Sequence, residues 1–286
     1  MKVAMIGAGL MGAPMAEKLL EREYDVLVYN RTKSKAEYLV ERGADICDSA
    51  ADAVKQSEII VVMLSDYYAI CETLFKEKID YSSKKVFQMS TISPGENLIL
   101  SERISKLGGE FIEAPVLGSI KQVQERELFV LVGSTEKQFE ENELFLKAFG
   151  DKIIHVGKIG KASALKLALN HLIASITNSF SLSLGYVLEN KINVETFMEI
   201  LRESALYAPT FDKKLDNMLN RDFDNPNFPL KHLLKDVNLI SDEFTKSGLF
   251  TAQLDGVRET IKKGLQLKNA DKDYSSLYNA VHPKKK

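Results

Sequence analysis

Apolar positions in the first half of the chain come as short runs bounded by polar residues. Val3–Ile6, Asp25–Tyr29, Glu58–Leu64, Val86–Met89, Phe111–Ala114, Leu128–Gly133 and Ile153–Val156 have this form. Such runs suit parallel strands buried on both faces. Between them, Ala13–Glu21, Tyr67–Lys76 and Gly95–Leu107 carry helical periodicity. The alternation predicts a doubly wound, parallel-rich sheet. Near residue 160 the pattern changes. From Ala162 to Glu189, Leu165, Leu169, Leu172, Ile173, Ile176 and Phe180 recur at helical spacing and are expected to be buried. Val194–Leu206, Thr210–Asn220, Leu230–Ser247, Gln253–Lys263 and Tyr274–Ala280 continue as helices, interrupted by the breaker Asp224–Pro229. The expected architecture is an α/β N-terminal domain over 1–160 and an all-α C-terminal domain over 161–286, joined by a long helix. The terminal Pro283–Lys286 is expected to be a frayed tail.

The turn after the first run adds chemistry. Gly7-Ala8-Gly9-Leu10-Met11-Gly12 is a G-x-G-x-x-G between a strand and a helix, the setting of the dinucleotide fingerprint. Gly7 permits a tight turn, Gly9 a close approach of backbone to pyrophosphate, and Gly12 close packing of helix on strand. With Leu10 and Met11, these residues are the expected phosphate cradle of a Rossmann-type domain. The end of the second strand bears on the choice of cofactor. An NAD site usually carries Asp or Glu there. This chain has Asn30-Arg31-Thr32. Arg31 can make charge-assisted bonds to a 2′-phosphate, and Thr32 adds a donor, so NADP(H) is expected over NAD(H). Met63 and Leu64, at the end of a buried strand, are expected at the same cofactor-binding edge.

Composition narrows the class. The 286 residues are 45% hydrophobic and 27% charged, as in ordinary globular proteins. A net charge of −2 supplies no basic field for nucleic acid. No apolar run approaches the ~18 residues of a membrane span. The chain opens directly on a strand-like segment, so no signal peptide is expected. Cys47 and Cys71 are the only cysteines, and the four histidines form no ligand pattern. No metal site is expected, and a reduced, cytoplasmic location is.

The long helix opens with Gly160-Lys161-Ala162-Ser163-Ala164-Leu165-Lys166 and reaches Asn170 one turn later. Ser163, Lys166 and Asn170 share a face. Two loops also lie at strand ends. Ser90-Thr91-Ile92-Ser93-Pro94 suits a helix cap through Ser93 or Thr91. Ala114-Pro115-Val116-Leu117-Gly118-Ser119 exposes N–H groups near Gly118 that can hold an anion, or simply forms a turn.

Taken together these stretches resemble the β-hydroxyacid dehydrogenase family. It includes 3-hydroxyisobutyrate dehydrogenases, tartronate semialdehyde reductases and glyoxylate/succinic semialdehyde reductases. Gly7–Ala16 resembles the family's G-x-G-x-M-G-x-P-M-A, and Met89-Ser90-Thr91 with Pro94 the next motif. Glu113–Ser119 resembles the substrate loop. Gly157–Asn170 resembles the catalytic G-x-x-G-x-x-x-x-x-K-x-x-x-N, and Phe228–His232 with Lys235-Asp236 the C-terminal signature. Asn30–Thr32 and Phe228–Asp236 are most similar to the glyoxylate/succinic semialdehyde reductase branch. The resemblance implies an NADPH-dependent reductase of a small carboxylate-bearing aldehyde or keto acid. It makes Lys166 the catalytic residue, with Asn170 beside it. Thr91 and Lys235 would touch the cofactor. Gly118, Ser119, Asn170 and Lys231 would hold the substrate carboxylate. The length of the helix over 162–189 also suits a subunit interface, and a homodimer or homotetramer is expected.

The chemistry agrees. Hydride arriving at a carbonyl leaves negative charge on oxygen, which needs a cation and a proton, and a buried lysine supplies both. Competing readings are an NAD-dependent 3-hydroxyisobutyrate-type dehydrogenase and a non-catalytic NADP-binding module. The chain departs from the family at Leu117, usually Ser, at Arg126, usually Gly, and at Gln122-Val123, typically Pro-Ala in the branch. Leu117 removes a hydroxyl beside the expected carboxylate site, which leaves the substrate's identity open.

Overall fold

The computed structural model describes residues 1–284. Lys285 and Lys286, part of the expected frayed tail, lie outside the described residues. The chain divides into two compact units. The first runs over Met1–Leu167, and the second starts at Ala168.

The first unit is built on nine strands: β1 Lys2–Ile6, β2 Asp25–Tyr29, β3 Asp45–Ile46, β4 Ile59–Val62, β5 Lys85–Gln88, β6 Glu110–Glu113, β7 Val116–Leu117, β8 Phe129–Gly133 and β9 Lys152–Gly157. Their order is β3-β2-β1-β4-β5-β6-β8-β7, with β9 paired to β8. The strands from β3 to β6 run parallel, while β8 meets β6 and β7 antiparallel. Six helices connect them: α1 Gly12–Leu20, α2 Ala50–Gln56, α3 Tyr67–Leu74, α4 Pro94–Lys106, α5 Ile120–Gln124 and α6 Glu136–Leu146. All four residues of β4 are buried, as an unbroken apolar run requires when both faces are covered. One core lies on each face, around Met5, Val28 and Phe87 on one side and Ile6, Ile60 and Tyr81 on the other. The sheet is therefore parallel-rich and doubly wound, as expected. Helices α2 and α6 were not anticipated. Each is short or strongly charged, so its apolar period is faint; their caps at Ser49 and Thr135 are the clearer signal.

Helix α7, Lys161–Glu189, starts in the first unit and continues into the second. The first unit thus takes in the opening of α7, where the Gly160 and Ser163 amides are bound to Glu113 of β6. The second unit adds α8 Val194–Glu203, α9 Thr210–Asn220, α10 Leu230–Lys246, α11 Ala252–Gln266 and α12 Tyr278–Val281. Its core gathers Phe180, Leu184, Met198, Phe211 and Met218.

The burial of α7 corrects one expectation. Leu165 is 38% exposed and Leu172 55%. The buried stripe instead runs through Ser163, Lys166, Leu167, Asn170, Ala174, Thr177 and Ser181. Apolar residues surround this helix on several sides, so periodicity alone did not pick the inward face.

Candidate active site

The carboxyl ends of β1, β2, β4, β5 and β6 share one edge of the sheet, because these strands run parallel. The strand order reverses direction between β1 and β4. Ligands in open α/β sheets bind at such a point.

The glycine loop follows β1. Gly7 has φ +100°, and a Cβ there would lie 2.3 Å from the Met63 carbonyl oxygen. A Cβ on Gly12 would lie 1.9 Å from the Gly7 carbonyl oxygen. Both positions exclude side chains for packing. Gly9 differs: it is exposed, and nothing lies within 4 Å of the place its Cβ would take. That open surface lies at the start of α1, whose first turn carries no acidic residue. These features fit a dinucleotide pyrophosphate. Leu10 is exposed and Met11 half-buried on the same loop.

Asn30 braces this loop. Its Oδ1 accepts the Ala8 N–H at 3.1 Å, and its Nδ2 donates to the Thr32 carbonyl at 2.7 Å. Arg31 and Thr32 stand exposed beside it. Lys33 pairs with Asp48 at 2.7 Å. Among the described residues no carboxylate pairs with Arg31. Half-buried Met63 and Leu64 follow β4. The Leu64 N–H donates to the Ser90 hydroxyl oxygen at 2.8 Å, which ties the β4 loop to the segment carrying Thr91. The cap of α4 is Ser93, with Glu96 as its reciprocal partner, and not Thr91.

The substrate loop follows β6. Gly118 has φ +143° and is exposed. Ser119 is already engaged. Its N–H donates to Gln122 Oε1 at 3.0 Å and its hydroxyl to the same oxygen at 2.6 Å. Leu117 is half-buried. Arg126, unexplained from sequence, now has an account. It sits at φ +57°, where glycine is free of strain and another residue costs about 1–2 kcal/mol. Its guanidinium donates to the Lys147 carbonyl at the end of α6 (3.0 Å) and to Asp151 (3.3 Å), which offsets that cost.

Lys166 is only 7% exposed on α7, and Asn170 one turn on is 3% exposed. Two further groups at this helix had escaped sequence reasoning. In the first unit, the buried carboxylate of Glu113 accepts the N–H groups of Gly160 and Ser163, each at 2.6 Å. Burial pushes the Glu113 carboxyl above the usual carboxylate range, while the bonds from Ser163, Gly160 and Ala162 oppose that shift. In the second unit, Asn170 Nδ2 donates to Asp236 Oδ2 at 2.7 Å. Asp236 is 2% exposed and forms an ion pair with Lys235 at 2.8 Å. A carboxylate only accepts, so the Asn170 amide must turn its nitrogen to Asp236. The Asn170 Oδ1 is thereby presented as a buried acceptor with no hydrogen-bond partner among the described residues. Lys231 is exposed and pairs with Asp271 at 2.5 Å. The only sequence signals for these groups were motif membership for Glu113 and the Lys235-Asp236 pair for Asp236.

Residues 2–157 match the NAD binding domain of 6-phosphogluconate dehydrogenase. Residues 160–281 match the NAD-binding domain of NADP-dependent 3-hydroxyisobutyrate dehydrogenase. The chain is 33% identical to glyoxylate/succinic semialdehyde reductase 1 of Arabidopsis thaliana, over 98% of each protein. It belongs to the β-hydroxyacid dehydrogenase family. The second Arabidopsis thaliana reductase of that name, a chloroplastic one, is 29% identical over 98% of this chain and 79% of its own length. A 3-hydroxyisobutyrate dehydrogenase from Salmonella typhimurium shares the family fold, with a TM-score of 0.87 at 16% identity, covering 97% of this chain and 99% of that one. As a β-hydroxyacid dehydrogenase, the protein is an oxidoreductase acting on CH–OH groups and uses a nicotinamide dinucleotide.

Proposed function

We propose that the protein is an NADPH-dependent reductase of a small carboxylate-bearing aldehyde or keto acid, of the glyoxylate/succinic semialdehyde type, giving the hydroxy acid. The observation that carries this is a lysine held at 7% exposure one helical turn before a buried amide. Lysine is almost never buried without a specific reason.

NADPH, when bound, supplies the hydride. We assign Lys166 Nζ to the carbonyl oxygen, where it stabilises the developing negative charge and delivers the proton that completes the alcohol. Asn170, its amide fixed by Asp236, offers Oδ1 to a donor, either the Lys166 ammonium or the nascent hydroxyl. Gly7, Gly9, Leu10, Met11 and Gly12 are assigned to the pyrophosphate. Asn30, Arg31 and Thr32 are assigned to the adenosine end, and Met63, Leu64, Thr91 and Lys235 to the rest of the cofactor. Gly118, Ser119 and Lys231 are assigned to the substrate carboxylate. An NADPH-oxidation screen over glyoxylate, succinic semialdehyde, tartronate semialdehyde and methylmalonate semialdehyde tests the proposal. Turnover of at least one is expected; turnover of none contradicts it.

The Gln122 bonds carry a prediction about that carboxylate. Any anion reaching Ser119 must displace the Gln122 amide oxygen from two donors. Each bond is worth about 0.5–1.5 kcal/mol, so Gln122→Ala should lower KM for succinic semialdehyde by roughly tenfold. KM for the uncharged counterpart butyraldehyde should stay put. Steady-state kinetics on the pair will read this, and equal shifts for both would remove Ser119 from the carboxylate site.

A second copy of this chain is our proposed cover for the outward Leu172, Leu182 and Tyr186 of α7, which are 55%, 63% and 69% exposed. Light scattering should read a dimer or tetramer, and a monomer would refute this. A cytoplasmic location is part of the same proposal, in keeping with the free thiols of Cys47 and Cys71.

A further inference from the structure

The first turn of a helix leaves backbone N–H groups without intrahelical acceptors. Helices α4 and α6 meet this locally, with the reciprocal pairs Ser93/Glu96 and Thr135/Gln138. Helix α7 cannot. The residue before its first turn is Gly160, at φ +92°, which has no side chain to offer.

The acceptor comes from 47 residues earlier. Glu113, at the end of β6, is fully buried. Its Oε2 takes the Gly160 N–H and its Oε1 the Ser163 N–H, both at 2.6 Å. These are the two donors that a capping box satisfies, here collected by one carboxylate from another strand. The Ser163 hydroxyl closes the turn onto the Gly160 carbonyl at 3.2 Å. Room for the carboxylate exists because β8 has Gly133 opposite Glu113. A Cβ at Gly133 would lie 2.1 Å from Glu113 Oε2. A negative charge at this end also suits the helix dipole.

We propose that Glu113 is the positioning residue of Lys166. Lys166 follows Ser163 by three residues, so the rotation and height of its turn are set by where the carboxylate holds the Gly160 and Ser163 amides. Nothing in this role touches the cofactor or the substrate. The inference rests on Lys166 being the proton donor proposed above.

Two variants disturb the clamp independently. Glu113→Gln keeps the shape but turns an amide NH2 toward a backbone N–H. Gly133→Ala keeps the carboxylate but pushes it aside. In the full chain supplied with NADPH and aldehyde, a misplacement on the order of 1 Å should lower kcat roughly 10- to 100-fold, with KM for NADPH and aldehyde within about threefold. A purely structural role would lower the melting temperature and leave kcat of the folded protein unchanged, and that result overturns the proposal. If only one variant folds, it decides; if neither folds, Glu113 is structural and the proposal fails. Should the wild-type protein reduce no aldehyde, the functional proposal fails separately. The rate of Lys166 acetylation by acetic anhydride, read by mass spectrometry, then decides: a change in the variants supports the positioning role, and an unchanged rate overturns it.

Discussion

Lys166→Ala is expected to lower kcat about 10³-fold, roughly 4 kcal/mol of barrier, while NADPH affinity stays within about threefold. The magnitude follows from the two tasks given to one group. Charge develops on the carbonyl oxygen as the hydride arrives, and a positioned cation offsets it; the same group then supplies the proton. Removing the side chain removes both contributions, and water replaces them poorly at a residue that is 7% exposed. Cofactor affinity should survive, because the glycine loop and the Asn30 brace belong to other elements. Lys166→Arg separates the two tasks. Arginine keeps the charge but does not release a proton near neutral pH, so it should recover only a small part of the rate. Steady-state kinetics with fluorescence titration of NADPH provides both readouts. A Lys166→Ala protein that retains turnover would remove Lys166 from the chemistry.

The second large effect concerns Arg31. Replacing it with alanine should raise KM for NADPH by roughly 10- to 100-fold, the loss of charge-assisted bonds worth about 1.5–3 kcal/mol. KM for NADH should change little. Among the described residues Arg31 is the cation at the end of β2 with no carboxylate partner, while Asp48 holds Lys33. Asn30 cannot replace its charge, because a neutral amide already bonded at both ends within the loop has at most one N–H left to offer. Comparison of kcat/KM for the two cofactors in wild-type and variant proteins reads the effect. An equal change for NADPH and NADH would mean that Arg31 contacts something other than the 2′-phosphate.

How much of this was legible in the residues depended on the range of the interaction. Gly7 and Gly12 were readable because no other residue fits where a Cβ would lie about 2 Å from a carbonyl oxygen. Lys166 and Asn170 were readable because both sit on one helix, one turn apart. The strands of the doubly wound sheet were readable as apolar runs. The clamp of Glu113 on Gly160 and the pairing of Asn170 with Asp236 were not, because they join residues 47 and 66 positions apart. Local pattern carries no information about such partners. Leu165 and Leu172 were misplaced for a related reason: the inward face of the first turns of α7 carries Ser163, Lys166 and Asn170, and apolar periodicity pointed elsewhere. Arg126 looked anomalous until its positive φ and its bond to the Lys147 carbonyl were seen together.

Every role assigned above serves hydride transfer from NADPH to a carbonyl carbon. Its most direct test is reduction of succinic semialdehyde and of glyoxylate with NADPH deuterated at the transferring position, with the product hydroxy acid read by mass spectrometry and NMR. A single deuterium is expected on the new carbinol carbon, formed in step with cofactor oxidation and lost in Lys166→Ala. Absence of a deuterated hydroxy acid with these two and with tartronate and methylmalonate semialdehydes, whether or not the cofactor is consumed, would overturn it.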